Sequence, residues 1–373
     1  MRFHLLGLAH TKTSRIWEHC AYTMKVYKMA KMLADLGHEV IHYGAEGSTV
    51  CCEHVDVISD TEQAYCYEEK NWPSIFFDFD SKDFAYTRFN EKAIKEIKAR
   101  KQPRDILLCS MGNAHKPIAD GVDLLSVEMG IGYTGTFAQY RVFESYAWMH
   151  YIYGMQMPNP GACDGRFYDV VIPNYFDPKD FEFCEEKDDY LLYVGRLIPR
   201  KGIQIAIDVA KALDRRLIIA GSGSLDSLGL GVLPRNIEYI GVVGVEERSD
   251  LMKKASAILV PTLYLGPFEG VAVEAMMCGT PAITTDWGAF PETVQHGKTG
   301  YRCRTMEQFI WAADHVGSLN PVYIREYAVD NYSLGRVGLM YQEYFEQLHG
   351  LFGKGFYEEN SSRRELNWLK RWI

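Results

Sequence analysis

Short apolar runs alternate with stretches of helical periodicity along most of the chain. Residues 3–8 form the first such run, and apolar residues then recur at helical spacing as far as Gly37. The runs 40–43, 105–110 and 124–127 predict further strands of the same sheet. A regular alternation of strands and helices is typical of a parallel sheet that is covered by helices on both faces.

A second alternation begins near residue 189 and is more regular than the first. Its strand-like runs are 190–194, 216–220, 236–240, 257–260 and 281–285. Two successive arrays in a chain of 373 residues predict an α/β fold with two doubly wound, Rossmann-like domains that face a cleft, where the carboxyl ends of the strands meet a ligand. We expect a first domain over residues 1–172, a second over 173–340 and a helical tail over 341–373, with packing of the tail back on the first domain as one option.

The composition indicates a folded chain with two cores and excludes intrinsic disorder, because 47% of the residues are hydrophobic. With 40 Lys and Arg against 49 Asp and Glu, the net charge is −9, which provides no general attraction for nucleic acid or an anionic membrane. No apolar stretch approaches the ~20 residues of a membrane span, and the first run reads as a strand rather than a signal peptide. Nine scattered cysteines without a Cys-x-x-Cys pair are typical of reduced thiols in the cytoplasm, where we expect the protein.

Two basic side chains follow the first strand of the second array. Arg196 and Lys201 stand just beyond the run 190–194, and Gly202 marks the opening of a helix. Guanidinium and ammonium groups beside the amides of a helix start are suited to bind a diphosphate. A basic surface turn is the alternative interpretation of the same residues.

A glycine-containing segment before a later helix carries the second candidate site. Gly266 and Gly270 free the backbone to approach a ligand, and Glu274 stands near the start of the helix. A carboxylate at this place can accept hydrogen bonds from both hydroxyls of a ribose. The alternative is that Glu274 only complements the helix dipole.

Several motifs occur together and in a consistent order over residues 170–345. They are Val194-Gly-Arg-Leu197, Lys201-Gly202, Gly221-Ser-Gly223, the segment 267–281 and Gly297-Lys-Thr-Gly300. This part of the chain resembles the nucleotide-sugar domain of family 4 glycosyltransferases, within the glycosyl transferases group 1. The resemblance implies the two-domain GT-B fold and a retaining, metal-independent enzyme that needs no cofactor beyond its donor substrate. The first half of the chain is similar to the family only in its pattern of strands and helices.

The resemblance also implies roles for individual residues of the second domain. Arg196 and Lys201 would hold the donor diphosphate, Glu274 would bind the ribose, and the backbone of 241–245 would face the base. The full set of donor-binding residues that it implies is Arg196, Lys201, Val243, Gly266, Phe268, Glu269, Gly270, Val271 and Glu274. Arg196 and Lys201 are also catalytic candidates, because they would stabilise the charge of the leaving diphosphate.

Two departures from the family pattern concern the sugar and the acceptor. The family usually has a Glu eight positions before the ribose carboxylate, where it contacts the donor sugar, and this chain has Gly266 there; Glu269 is placed to reach the same hydroxyls. Many relatives also have a His near the anomeric carbon, after a strand of the first domain. Glu128 occupies that position here and His115 follows the preceding strand, so both are catalytic candidates. The alternatives are a structural Glu128 paired with an Arg, and an ordinary loop histidine.

Two segments of the first domain complete the candidates. His10, Thr11, Lys12 and Thr13 stand where the family has a glycine-rich loop for donor phosphate and acceptor, although the glycines are absent. Residues 78–80 are Asp-Phe-Asp, and the pattern Asp-x-Asp holds a metal and a nucleotide in the other major glycosyltransferase fold. We interpret this triplet as a surface turn, since that fold lacks a second complete strand-helix array, and we predict no metal site.

These features together predict a glycosyltransferase that moves a sugar from a nucleoside diphosphate sugar to an acceptor hydroxyl. The acceptor is a glycan, a lipid, a protein or a hydroxylated nucleobase, and the donor sugar and its base are left open. A sugar-nucleotide-binding module or an inactive partner subunit with the same fold is the main alternative, because Gly266 replaces the usual Glu. A sugar-nucleotide epimerase or a phosphorylase on the same scaffold is a further alternative, although the sequence has no recognisable pyridoxal-lysine segment of the phosphorylases.

Overall fold

The computed structural model of the chain describes residues 1–17, 20–67, 79–157, 166–229, 231–351, 359 and 361. The chain divides into two compact units, each assembled from separated segments. Unit 1 comprises Met1–Phe143, Asp164–Tyr175 and Leu334–Ile373, and unit 2 comprises Glu144–Cys163 and Phe176–Ser333. The chain therefore passes from one unit to the other four times.

Unit 1 is built on a parallel sheet of seven strands. The strands are β1 (Arg2–Leu6), β2 (Glu39–Ala45), β3 (Glu53–Ile58), β4 (Ile106–Cys109), β5 (Leu125–Ile131), β6 (Tyr140–Phe143) and β7 (Val170–Val171). Their order across the sheet is β3-β2-β1-β4-β5-β6-β7. The central strands β1 and β4 are almost entirely buried, and this explains why they read as continuous apolar runs in the sequence.

Unit 2 is built on a parallel sheet of six strands. The strands are β8 (Tyr190–Val194), β9 (Arg216–Ala220), β10 (Ile237–Gly241), β11 (Ala257–Val260), β12 (Ala282–Thr285) and β13 (Gly300–Cys303). Their order is β10-β9-β8-β11-β12-β13. The predicted α/β class with two doubly wound sheets is confirmed.

Helices connect the strands in both units. They are α1 (Ala21–Asp35), α2 (Asp60–Tyr67), α3 (Phe84–Arg100), α4 (Lys116–Val122), α5 (Tyr146–Gln156), α6 (Ile203–Leu213), α7 (Val245–Lys254), α8 (Gly270–Met277), α9 (Phe290–Thr293), α10 (Met306–His315), α11 (Pro321–Tyr332) and α12 (Leu334–Leu351). The N-cap of α6 is Gly202, which has φ +72°, and a Cβ there would lie 2.0 Å from the carbonyl oxygen of Pro261. Glycine is therefore required at the start of this helix.

The core of unit 1 joins helices from distant parts of the chain. α1 packs against α12, and a Cβ on Gly338 of α12 would lie 2.9 Å from Met32 Cγ. Phe345 is fully buried, and its ring centre is 4.8 Å from that of Phe3 in β1. α12 thus begins before the predicted tail, and its apolar stripe is part of the unit 1 core. Residues 352–358, 360 and 362–373 of the predicted tail lie outside the described residues.

The unit boundaries differ from the predicted domain boundaries. The last two crossings lie at 175/176 and 333/334 rather than at 172/173 and 340/341. α5 falls within the predicted first domain but belongs to unit 2, because the amides of Tyr146 and Ala147 donate to the carboxylate of Glu292 at 2.8 and 2.9 Å. The sequence pattern also gives no signal for β3, since this edge strand is rich in polar and charged residues.

Three structural features concern membrane spans, disulfide bonds and metal sites. None of the described helices combines the length and apolar character that a bilayer crossing requires. The cysteines within the described ranges are free thiols. In the same ranges, no three His, Cys, Asp or Glu side chains are grouped as a metal ion would require.

Candidate functional site

Unit 2 places its candidate cations and carboxylates at the carboxyl ends of two neighbouring strands. Arg196 and Lys201 follow β8, whereas Glu269 and Glu274 follow β11, which pairs with β8. The order of the sheet reverses between these two strands, because β9 and β10 continue to one side and β12 and β13 to the other. Doubly wound sheets bind their ligands at such a reversal point.

The turn after β8 is shaped by a contact that only glycine allows. A Cβ on Gly221, which has φ +143°, would lie 1.9 Å from the carbonyl oxygen of Gly195. The amide of Leu197 donates a hydrogen bond to the carbonyl of Ser222 at 2.8 Å. The glycine motif that begins at Gly221 therefore fixes the backbone that presents the half-buried Arg196 side chain.

Lys201 and Glu269 form an ion pair, with 2.5 Å between Nζ and Oε2. The Lys201 side chain is 17% exposed and the Glu269 side chain 4% exposed, so the pair is largely shielded from water. The Thr262 hydroxyl donates to the same Glu269 oxygen at 3.4 Å, and Lys201 Nζ lies 5.2 Å from the centre of the Tyr264 ring. Two residues with separately predicted roles, at the diphosphate and at the sugar, are therefore in direct contact.

Glu269 reaches Lys201 through an unusual backbone conformation. As the N-cap of α8 it has φ +64° and ψ +59°, in the left-handed region that favours glycine. A Cβ on Gly266 would lie 2.2 Å from Glu269 Oε1, and a Cβ on Gly270 would lie 3.1 Å from Cζ of Phe176. Neighbouring side chains thus fill the space beside both glycines. The predicted close approach of a ligand to the backbone of these glycines stays a prediction.

Glu274 forms an ion pair with Arg248 of α7, with 2.9 Å between Arg248 Nε and Glu274 Oε2. The side chains are 13% and 18% exposed, so the arginine holds the carboxylate in a partly shielded position. α7 follows the segment 241–245 that was predicted to face a base, and Val243 of that segment is buried. The sequence gives no signal for Arg248, because its partner lies on a different helix.

Two of the predicted donor-binding residues contribute to the core of unit 2. Phe268 is 2% exposed, and its ring centre lies 6.2 Å from that of Phe176 and 5.8 Å from that of Tyr332. Val271 is half-buried against the same core. Because the Phe268 ring is packed in this core, it is not available to a sugar. Burial of a large aromatic ring stabilises the fold. Its backbone remains part of the loop that carries Glu269.

A residue without a predicted role supports the same loop. Ser145 is the N-cap of α5, and its hydroxyl donates to the carbonyl of Pro267 at 2.6 Å. Pro267 lies between Gly266 and Glu269, so this hydrogen bond fixes the loop from the side. Only the fold reveals the contact, because the two residues are 122 positions apart in the chain.

Unit 2 contains a cavity of about 340 Å³ that is lined by residues near the carboxyl ends of β11, β12 and β13. Its lining includes Thr262, Leu263, Asp286, Trp287, Arg304 and Phe309. Thr262 is shared between the cavity and the contact with Glu269. The cavity therefore lies beside the loop that follows β11.

In unit 1, Glu128 is fully buried in β5 and accepts hydrogen bonds from a loop. Its Oε2 accepts from the amides of Phe137 and Ala138, both at 2.8 Å, and its Oε1 accepts from the Tyr133 hydroxyl at 3.1 Å. Burial raises the pKa of the Glu128 carboxyl, while the three donors and nearby Arg141 oppose the rise. This geometry suits a structural role in which Glu128 orients the loop through two amides and a hydroxyl, whereas the predicted structural alternative was pairing with an Arg.

Each residue of the predicted first loop is engaged within unit 1. The contacts are, in chain order, His10 Nδ1 to the Tyr86 hydroxyl (2.8 Å), Thr11 Oγ1 to Thr23 Oγ1 (2.6 Å), Lys12 Nζ to Asp60 Oδ1 (2.7 Å) and Thr13 Oγ1 to His42 Nε2 (3.0 Å). His10, Thr11 and Thr13 are buried. Side-chain contacts therefore hold this loop, which lacks the glycines of the family pattern.

Three histidines near the carboxyl end of the unit 1 sheet are buried and neutral. Burial lowers the pKa of His10, His42 and His115 to about 3 in each case. His115 follows β4, and its Nδ1 accepts a hydrogen bond from the amide of Ser110 at 3.2 Å. Nδ1 therefore lacks a proton, and the ring carries its proton on Nε2.

His42 also belongs to a chain of polar contacts that leads to the surface. Its Nδ1 lies 2.9 Å from His54 Nδ1, and His54 Nε2 lies 2.9 Å from Asp56 Oδ1. His42 Nε2 contacts Thr13 at the other end. The four residues connect a predicted loop position with an exposed carboxylate across β2 and β3.

The Asp-Phe-Asp triplet lies partly outside the described residues, since these resume at Phe79. Asp80 is exposed, and its side chain accepts a hydrogen bond from the amide of Lys82 at 2.9 Å. Asp80 is thus part of a surface turn.

Comparison with known sequences adds to this geometry. The sequence profile of the family Glycosyl transferases group 1 matches residues 188–316. Residues 188–316 are therefore similar to the domain that this profile describes. This range contains Arg196, Lys201, Glu269 and Glu274, and the predicted resemblance to the glycosyl transferases group 1 is confirmed for it.

One relative and two solved structures illustrate the similarity. An uncharacterized glycosyltransferase of Methanocaldococcus jannaschii is 33% identical over 159 residues, which are 39% of this chain and 40% of the relative. The alignment thus spans about two fifths of that relative's length. The crystal structure of AviGT4, a glycosyltransferase involved in avilamycin A biosynthesis, has a TM-score of 0.67 at 20% identity and covers 94% of this chain and 98% of its own.

The second structure is that of HepE from Anabaena in complex with UDP-glucose. It has a TM-score of 0.63 at 14% identity and covers 93% of this chain and 99% of its own. At these identities the two likenesses show the fold, which is the GT-B fold that the resemblance implies.

Proposed function

We propose that the protein is a glycosyltransferase that moves a sugar from a nucleoside diphosphate sugar to an acceptor hydroxyl. The observation that carries the proposal is the convergence of Lys201 and Glu269 at the reversal point of the unit 2 sheet, inside the range that matches the group 1 profile. A nucleoside diphosphate requires further polar groups. They are supplied by Arg196, which precedes Lys201 after β8, and by Glu274 on α8.

The proposed donor is a uridine diphosphate sugar, with UDP-glucose as the first to test. HepE was solved with UDP-glucose, and it shares the fold over 93% of this chain. In this assignment Arg196 and Lys201 bind the diphosphate, and Glu274, oriented by Arg248, accepts hydrogen bonds from the ribose hydroxyls. The backbone around Val243 faces the base.

The proposed mechanism rests on charge stabilisation. Cleavage of the anomeric bond places negative charge on the leaving diphosphate and positive charge on the sugar ring. Arg196, Lys201 and the amides at the start of α6 would stabilise the diphosphate in the role that a metal ion has in other transferases. We infer retention of configuration by attack on the same face, in which the leaving phosphate accepts the proton of the acceptor hydroxyl and no protein nucleophile is needed.

In unit 1 we assign Glu128 to positioning. Both oxygens of its carboxylate accept hydrogen bonds, from two amides and one hydroxyl, and we propose that it acts through the loop that it holds. His115 is fully buried and carries its proton on Nε2, and its role towards the acceptor hydroxyl stays a prediction. For the acceptor, we propose only that the reacting group is a hydroxyl.

The test is product analysis with UDP-glucose, with release of UDP as the readout and a panel of glycan, lipid and protein acceptors. Arg196→Ala and Lys201→Ala are each expected to lower turnover about a hundredfold or more, because each removes one stabilising group of the leaving diphosphate. Arg216→Ala is the matched control, since Arg216 is exposed at the amino end of β9, away from the strand ends that carry the site. Full activity of both site variants would remove the basis of the proposal.

A sugar-nucleotide-binding module is the second candidate. The observation that favours it is Gly266, which stands where the family usually has a sugar-contacting Glu and whose neighbouring space is filled by the Glu269 side chain. Binding of UDP-glucose without turnover against every acceptor, and without hydrolysis, would support this candidate over the transferase.

A further inference from the structure

The ammonium group that is proposed to bind the donor diphosphate already has an anionic partner. Lys201 Nζ and Glu269 Oε2 are 2.5 Å apart, and the Glu269 side chain is only 4% exposed. At this separation and burial the two charges interact strongly, because little water screens them. A phosphate oxygen that approaches Lys201 therefore meets a carboxylate on the same nitrogen, and the two anions repel each other.

Local features show that this pair is specifically built into the loop. Glu269 adopts φ +64°, which is unfavourable for a residue with a side chain, and its carboxylate fills the space above Gly266. The Thr262 hydroxyl gives Oε2 a second donor at 3.4 Å. The Ser145 hydroxyl holds the intervening Pro267 at 2.6 Å. The backbone thus accepts a strained position that places a carboxylate on the lysine.

We propose that Glu269 is an internal counter-ion that competes with the diphosphate for Lys201, so that donor binding exchanges one anion for another at this nitrogen. The proposal rests on the proposed function. Once Lys201 turns to the phosphate oxygens, the Glu269 carboxylate needs new hydrogen-bond donors. The hydroxyls of a donor sugar are such donors, whereas the product nucleoside diphosphate offers none at that place. The exchange therefore disfavours the product relative to the intact donor.

The counter-ion affects how the site selects between UDP-glucose and UDP. In the wild-type protein the counter-ion weakens binding of UDP, and the sugar of UDP-glucose compensates for its displacement. Replacing the carboxylate by a neutral amide removes the competitor but also weakens the contact with the sugar. Glu269→Gln should therefore bind UDP more tightly and lose preference for UDP-glucose over UDP. A residue that merely supports the loop would change both affinities in the same direction.

The experiment is calorimetric titration of the full chain with UDP and with UDP-glucose. We expect Glu269→Gln to bind UDP about tenfold more tightly than the wild type, because the variant lacks one charge-assisted contact that competes with the diphosphate. The ratio of the UDP-glucose affinity to the UDP affinity should fall. Glu238→Gln is the matched control, because Glu238 is an exposed carboxylate that pairs with Arg216 near the amino ends of β9 and β10, and it should titrate like the wild type.

A second variant tests the same idea without changing a charge. Gly266→Ala places a methyl group where the Glu269 carboxylate lies and should displace it from Lys201, so that UDP binding again becomes tighter. Unchanged or weaker UDP binding in both variants, while Lys201→Ala abolishes it, would overturn the counter-ion role and leave the proposed function intact. Absence of UDP and UDP-glucose binding in the wild type and in every variant would overturn both.

Discussion

The glycines around the site differ in what lies beside them, and this difference decides which of them accept a side chain. Gly221 and Gly202 face carbonyl oxygens at distances that no Cβ tolerates, 1.9 and 2.0 Å. Gly317, in the same unit, has nothing within 4 Å of its Cβ position. The first two therefore shape the backbone at the strand ends, whereas the third is an ordinary surface position.

The variant Gly221→Ala should destabilise unit 2. The methyl group would collide with the carbonyl of Gly195, and φ +143° is strained for alanine, so we expect a loss of about 3 kcal/mol in the free energy of unfolding. Gly317→Ala is the control and should stay within about 0.5 kcal/mol of the wild type. Urea denaturation measures both, and equal stability of the two variants would contradict this reading of the loop.

Glu128 offers a residue-level test that separates positioning from catalysis. In Glu128→Gln the amide oxygen can still accept from the amides of Phe137 and Ala138, so stability should fall by about 1 kcal/mol or less and most of the turnover should remain. Glu128→Ala deprives three donors of their acceptor, namely the two amides and the Tyr133 hydroxyl, and should cost about 2 to 4 kcal/mol. A Gln variant that is as stable as the wild type but inactive would instead make Glu128 a catalytic residue.

Sequence motifs identify single residues of the site but not their partners. Arg196, Lys201 and Glu274 could be singled out because each follows a predicted strand within a recognisable motif. Arg248 and Ser145 could not, since their partners are distant in the sequence and neither forms a motif. The Phe268 ring was expected at the ligand but packs in the core, because the pattern of apolar residues does not tell a core position from a pocket wall.

At the scale of elements, α12 overlaps the predicted helical tail, and packing of that tail on the first domain was one of the expected options. The sequence predicted a helical tail here, but it did not define which residue begins the helix, and it left open what the helix contacts. In the structure its apolar face contacts α1 and β1, and Phe345 is fully buried. The last described helix therefore completes the core of the first unit.

The variant Phe345→Ala should destabilise unit 1 selectively. Loss of a buried aromatic ring next to Phe3 leaves a cavity, and we expect a decrease of about 3 to 5 kcal/mol in the free energy of unfolding. Leu339→Ala on the same helix is the control, because Leu339 is 50% exposed. Hydrogen exchange of the two units measures the effect, with faster exchange expected in unit 1. Equal exchange in both variants would contradict the assignment of α12 to this core.

At the scale of the whole molecule, alternation of strands and helices was sufficient to predict two α/β sheets. It was not sufficient to assign α5 and α12 to their units, because the four crossings of the chain depend on contacts between distant segments. Amphipathic periodicity specifies that a helix has a buried face, and it does not specify the surface that buries it. The order of elements along the chain was therefore more predictable than the unit to which each element belongs.

The two units should differ in their response to acid. His10, His42 and His115 in unit 1 have pKa values of about 3 because they are buried, whereas the same groups in the unfolded chain titrate near 6.5. The unfolded state therefore binds more protons as the pH falls below about 6.5, and the stability present above that pH is lost towards pH 3. The three groups together give a slope of about 4 kcal/mol per pH unit at most.

Urea denaturation between pH 7 and pH 4 measures this slope for each unit. The described histidines of unit 2 (His150, His296 and His315) are exposed and provide the internal control. We expect unit 1 to lose stability first. Parallel loss in both units, or none in unit 1, would contradict the buried neutral histidines.

The most direct test of the central claim compares uridine with UDP in calorimetric titrations of three proteins. If Arg196 binds the diphosphate and Glu274 the ribose, Arg196→Ala should weaken UDP binding about tenfold or more and leave uridine binding unchanged. Glu274→Gln should weaken binding of both ligands. The contradicting result would be loss of UDP and uridine affinity to the same extent in Arg196→Ala, or unchanged affinity for both ligands in both variants.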